Sequence, residues 1–322
     1  MELDTPDYIK KLAEEGLTRI AMVELKNKGL RMDAIMYMSS ALDKFANMDL
    51  NEIKKITFEI AMLGQKGLDI NDPSIRHTLD SMEGDFQIHE KLHVDATVKI
   101  ARATMPKHIL KIKSNQGEYL SEMIAHECGH IVRTLSVTPP ERKITCSTRL
   151  TFNQATAELD REKSKVSPEL KSKMVEMWIH GLVLQITNLP VDARIERWIF
   201  ETYPGLRSEQ AEYLKKYSHT CISTFSPDIE QITPKKVFLS NMAMVFAFLT
   251  SIGLLIGEDY SQHFAPYPEI VQYGKVLVKL LEEPDRGYLQ DIETTNYWAK
   301  ILGLTNWFSW TDFENVPEGY GE

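Results

Sequence analysis

Residues 237–257 form an uncharged run of 21, bounded by Lys235 and Lys236 on one side and Glu258 and Asp259 on the other. A helix that is apolar all round must be kept from water, either in the centre of a large helical protein or across a bilayer. Ser240, Asn241, Thr250 and Ser251 interrupt the run, it stands alone in mid-chain, and ordinary soluble composition follows it to residue 322. The sequence is therefore read as placing a buried core helix here, with a membrane segment as the alternative.

The rest of the chain supports a globular reading. With 43% of 322 residues hydrophobic and 26% charged, it can bury a substantial core without disulfides. Lys and Arg number 37 against 46 Asp and Glu, a formal charge of -9, which argues against a phosphate-tracking surface and so against nucleic acid as a partner. Cys128, Cys146 and Cys221 are odd in number and show no CxxC spacing, so neither a disulfide framework nor a thiolate zinc knuckle is expected. The acidic residues 1–16 lack the basic start and apolar run of a secretory signal. A cytoplasmic location, without membrane association, is the expectation.

Helix signals punctuate the first eighty or so residues: Thr5 before Pro6, Asp49 with Glu52 three residues on, and Asp72 before Pro73. Residues 108–113 (His, Ile, Leu, Lys, Ile, Lys) suit a strand. A helix is expected from about Glu118 to Leu135, with Leu120, Ile124, Cys128, Ile131 and Leu135 as its buried stripe. Residues 137–148, with Pro139 and Pro140, read as loop, and the charged stretch from Glu158 to Lys165 as a solvated helix face. A long helix from Pro168 to about Thr187 is expected to break at Pro190, with a second helix from Val191 to about Glu201.

One motif carries chemistry. His126, Glu127, Cys128, Gly129 and His130 form an HExxH on the helix expected at 118–135. Histidines four apart share a helical face, so both imidazoles can reach one zinc ion, and the adjacent glutamate sits at the edge of that face. Zinc held by nitrogen and carboxylate ligands keeps a position for water, and a neighbouring carboxylate can take the proton as that water attacks a carbonyl. Two histidines and a glutamate half sunk in an apolar helix are costly unless something pairs them. Cys128 lies inside the motif but turns away from the histidine face, so it is read as packing.

Residues 124–132 (Ile, Ala, His, Glu, Cys, Gly, His, Ile, Val) resemble the active-site helix of the zincin metallopeptidases. The resemblance implies His126 and His130 as zinc ligands, Glu127 as general base, and a preceding strand along whose edge a peptide substrate is held, a part that residues 108–113 can take. A third ligand is required. Ser136 stands where the metzincin extension demands histidine, which excludes that branch and points to a gluzincin-like arrangement with a carboxylate from a later helix. Glu158 to Glu162 lacks apolar residues to hold it to a core. Asp192 and Glu196 instead lie four apart amid Ile195, Trp198, Ile199 and Phe200, with a salt bridge to Arg194 or Arg197 as the other use for their charge. Their order reverses the familiar ExxxD, so both stay open as ligand, with Glu196 favoured because glutamate is usual in the resembling families. Tyr203, Tyr217 and His219 are candidates for stabilising an oxyanion. His89, His93, His180 and His263 are read as structural.

Together these features predict a mainly α fold (α+β with a small edge sheet). A helical region at 1–86 precedes a zincin-like core at 87–225, and a helical region at 226–322 follows. The implied function is zinc-dependent hydrolysis of a protein or peptide substrate. The alternatives are a helical binding or regulatory protein with a structural or vestigial zinc site, and a membrane-embedded protease using residues 237–257.

Overall fold

The computed structural model describes residues 84–89, 95–105, 108–113, 119–162 and 167–317. The helices expected near Thr5, Asp49 and Asp72, and His93, lie outside the described residues. In chain order the elements are β1 (Gly84–His89), β2 (Ala96–Lys99), β3 (His108–Lys113), α1 (Leu120–Leu135), β4 (Lys143–Cys146), α2 (Arg149–Asp160), α3 (Pro168–Thr202), α4 (Arg207–Ser223), α5 (Pro227–Ile232), α6 (Lys235–Ile256), α7 (Pro268–Leu281), α8 (Tyr288–Leu302) and β5 (Ser309–Asp312). The fold is mainly α with small sheets. The described residues form two compact units, one from those up to 139 with 198–213 and 313–317, the other from those of 140–197 and 214–312.

In the first unit β3 is the middle strand of a three-stranded sheet, parallel to β1 with Gly84 opposite His108, and antiparallel to β2 with Ala96 opposite Ile112. This corrects the edge role considered for residues 108–113. Both hydrogen-bonding sides of β3 are used, so no peptide can add to it, and the sheet's edges are β1 and β2. A short run such as residues 108–113 signals a strand but not its neighbours. β2 packs on α1. The turn between β2 and β3 is clasped by the chain's last described residues. Arg102 donates through Nε to the Val316 carbonyl at 2.7 Å and through Nη2 to that of Pro317 at 2.6 Å, and the Ala103 N–H donates to Glu314 at 2.9 Å.

The second unit is organised by α6. Its 22 residues are long and apolar enough to cross a membrane by length and composition, yet fourteen of them, from Val237 to Gly253, are buried against protein. Gly274 lets α7 lie close upon it, since a Cβ there would stand 2.3 Å from Cδ1 of Phe246. Gly257, at φ 74°, adopts the left-handed conformation that ends the helix where the uncharged run ends. At the other end, two lysines stand at the positive pole of the helix, an unfavourable place for them. Acids compensate: Lys235 pairs with Glu269 at 2.9 Å, Lys236 with Glu158 at 2.6 Å, and the Lys236 N–H donates to Glu162 at 3.2 Å.

Glu158 and Glu162 are thus anchors for α6, which corrects the solvated reading for these two residues, while Asp160 and Arg161 are exposed as expected. The partners lie more than seventy residues away and leave no local signal. A second correction concerns residues 137–148, which contain β4, paired antiparallel with β5 so that Lys143 faces Asp312.

The third correction is Pro190, which does not break the chain into two helices: α3 runs unbroken from Pro168 to Thr202. An interior proline deprives the carbonyl four residues earlier of its amide partner and costs about 3 kcal/mol or more. Here that carbonyl belongs to Ile186, and the hydroxyl of Thr295, on α8, donates to it at 3.4 Å. A long bond from a buried hydroxyl replaces the missing one.

Burial alone would raise the Glu158 carboxyl, but hydrogen bonds from Lys236 and the Trp307 indole, with the Lys236 charge, outweigh it and hold it below its ordinary value. A lowered folded-state value means that this stabilisation is complete above the ordinary carboxylate range and is lost as pH falls through the lowered value. Glu158→Gln is therefore expected to lower stability near neutrality and to flatten its loss on acidification. Denaturant midpoints measured between pH 3 and 7 check this.

Candidate metal centre

α1 carries the HExxH at its middle and is buried on most sides. Met123, Ala125, Glu127, Cys128, Ile131 and Val132 are buried, whereas His126, His130 and Arg133 form a half-buried stripe. The stripe follows from spacing, since steps of four and three residues return to one face. Tyr119 makes no side-chain cap, and Glu209 of α4 does that work by accepting the Glu122 N–H at 3.0 Å. A carboxylate at a helix N-terminus also meets the positive pole of the helix dipole. The Tyr119 and Tyr213 rings, 5.7 Å apart, hold the same end.

On the half-buried stripe the two imidazoles converge. Nε2 of His126 and Nε2 of His130 are 3.3 Å apart, with the rings inclined at 72°. Two nitrogens each about 2.0–2.1 Å from a tetrahedral ion are separated by about 3.3–3.4 Å, so the pair has the spacing that a shared metal needs. Asp192 of α3 offers a further ligand atom. One ligand atom from each of His126, His130 and Asp192 lies within 4.8 Å of the others, a group that can hold a metal ion. All three residues are half-buried.

Comparison of the chain with protein-family models, with curated proteins and with solved structures returns no match. The site's meaning therefore rests on its own geometry.

Glu127 is 8% exposed and Glu196 1%. Glu196 lies one turn beyond Asp192 on α3 and stands outside the group that gathers on the histidines. Arg194, between them, forms a buried ion pair with Asp291 at 2.8 Å, and its other terminal nitrogen donates to the Thr294 hydroxyl at 2.7 Å and to the Leu280 carbonyl at 3.2 Å. None of the three oxyanion candidates enters the metal-competent group among the described residues. Tyr203 is buried with its ring edge-on to Trp198, Tyr217 packs edge-on to Phe248, and His219 is exposed. His180 and His263 are exposed too. Sequence reasoning passed over two carboxylates near α1: Glu122, fully buried in its first turn and four residues before His126, and Glu209, which caps it. Glu122 was detectable by its i, i+4 spacing; Glu209 was not, since its role depends on how α4 packs.

Burial, with the Glu127 charge adding to it, pushes the Cys128 thiol far above its ordinary range, so it is a neutral packing group. Burial likewise pushes Cys221 up to about 11, against a hydrogen bond with Tyr217 that pulls the other way. Under native conditions at pH 8, Cys128 is expected to resist a disulfide reagent until the protein unfolds, with Cys146 reacting first. Mass mapping of labelled thiols over time checks the order, and rapid native labelling of Cys128 would contradict it.

Proposed function

We propose that the protein is a zinc-dependent metallopeptidase of zincin type, with His126, His130 and Asp192 as metal ligands and Glu127 as general base. The observation that carries this reading is the 3.3 Å approach of two helix-borne imidazole nitrogens beside a glutamate and within reach of a carboxylate from a second helix. A metal held only for structure gains nothing from a glutamate placed as base next to the first histidine. Zinc, when bound, supplies Lewis acidity that makes water acidic at neutral pH and polarises the substrate carbonyl.

The remaining roles belong to the chain. Glu127 accepts a proton from the attacking water and returns it to the amine as the peptide bond breaks. Asp192 supplies a negative charge that two neutral imidazoles lack, which matches the site to a divalent ion. Glu196, buried one turn further along α3, supports the ligand set from outside it, as carboxylates around metal sites commonly do. The proposed substrate is a protein or peptide. The proposed location is cytoplasmic, in keeping with three free cysteines.

The purified protein is expected to retain about one zinc per chain after dialysis. Glu127→Gln should keep that zinc and lose peptide hydrolysis, because an amide cannot accept the proton. Zinc lost with Glu127→Gln would make the glutamate a ligand, and a wild type that neither holds nor takes up zinc removes the reading altogether. Zinc affinity should separate the carboxylates. Asp192→Ala should release the metal, whereas Glu196→Ala should weaken binding by about 10 to 100 fold. The opposite ranking would make Glu196 the ligand.

A further inference from the structure

Asp192 is not placed by its own helix alone. Pro190, two residues earlier, has no amide hydrogen, so the turn of α3 that leads into Asp192 lacks its regular bond to the Ile186 carbonyl. A helix weakened there is free to bend, and a bend beside the shortest carboxylate side chain moves it directly. Two grips from α8 flank this turn. Before it, Thr295 donates to the Ile186 carbonyl at 3.4 Å. After it, Arg194 is fixed by Asp291 at 2.8 Å and by the Thr294 hydroxyl at 2.7 Å. Thr294 in turn donates to the Gln290 carbonyl at 2.8 Å within α8. Arg194, Asp291, Thr294 and Thr295 are each at most 4% exposed.

We infer that this buried polar face of α8 is a clamp that positions Asp192 for metal binding, with Arg194, Asp291 and Thr295 as positioning residues. The inference rests on the metal site proposed above. An apolar face would hold two helices together at least as well. Replacing a buried ion pair by apolar residues of like volume is often neutral or stabilising, so adhesion alone does not account for the arrangement. What directional bonds add is a fixed rotation and translation of the α3 backbone next to Asp192, at the place where proline has removed the helix's own restraint.

Positioning and stability make different predictions. In the double variant Arg194→Met with Asp291→Leu, the melting temperature of the metal-free protein should stay level or rise. Its zinc affinity, measured by competition with a chromophoric chelator, should fall by at least about tenfold, as for other groups outside a ligand set. The cobalt-substituted protein should show an altered visible spectrum, a signature that adhesion alone would not move. Thr295→Val is a milder second variant that keeps the shape and removes the donor. It should weaken zinc binding, and Thr295→Ser should restore it. Adding Pro190→Ala gives Ile186 its amide partner back, so Thr295→Val should then change affinity by less than about twofold. Wild-type affinity and spectrum in both the double variant and Thr295→Val would overturn the clamp while leaving the metal site standing. A wild type that binds no zinc would overturn the metal site, and the clamp with it.

Discussion

Two imidazole nitrogens 3.3 Å apart make a demand that the surrounding protein has to meet. Two nitrogens so placed suit a shared cation. The spacing persists only if the turn of α1 between residues 126 and 130 stays regular. That is why the helix is buried on the sides away from the histidines, with small residues Ala125, Cys128 and Gly129 allowing close packing, and why its first turn is capped from outside by Glu209. β2 packs against it as well, and the turn leading from β2 is in turn held by Arg102 to the residues near the C-terminus. Among the described residues of the first unit, β2, the turn after it and Glu209 of α4 brace one helix.

The carboxylate side is solved differently. α3 breaks a local rule by running through Pro190, and local rules tend to be broken where function asks for it and offset by neighbouring structure. The offset comes from α8, whose buried hydroxyls and Asp291 take up the orphaned carbonyl and the Arg194 guanidinium. A pair such as Arg194 and Asp291 is weak grounds for stability, because desolvating two charges costs roughly what their attraction returns, but it fixes geometry.

What was legible in the sequence divides along physical lines. Patterns whose cause is local were readable: the helix around His126 and His130 from its spacing, β3 from its short run of residues 108–113, and the extent of α6 from the uncharged run. Asp192 and Glu196 could be narrowed to one helical face, but the preference for Glu196 is corrected by the grouping of Asp192 with the histidines, because which of them comes near the imidazoles depends on the rotation of α3. Features whose cause lies far along the chain were not readable. Pro190 read as a break because the hydroxyl that makes it tolerable belongs to Thr295, 109 residues from the carbonyl it serves. Residues 143–146 read as loop because their partner strand begins at Ser309. Glu158 read as solvated because Lys236 and Trp307 reach it only in the fold.

The uncharged run that constrains the chain most also reaches the candidate site through a traceable series of contacts. α6 is buried because it has no charges with which to face water, and its burial gives the second unit a fixed apolar centre. α7 packs on that centre closely enough to require Gly274 opposite Phe246. From α7, the Leu277 carbonyl accepts the Trp298 indole N–H of α8 at 3.3 Å, and the Leu280 carbonyl accepts Arg194 of α3 at 3.2 Å. Dense cores transmit displacement and do not absorb it. A shift of α7 on α6 therefore moves both the helix that clamps Arg194 and Arg194 itself, two residues from the Asp192 carboxylate. An apolar helix outside the candidate site thereby bears on where the proposed third ligand lies.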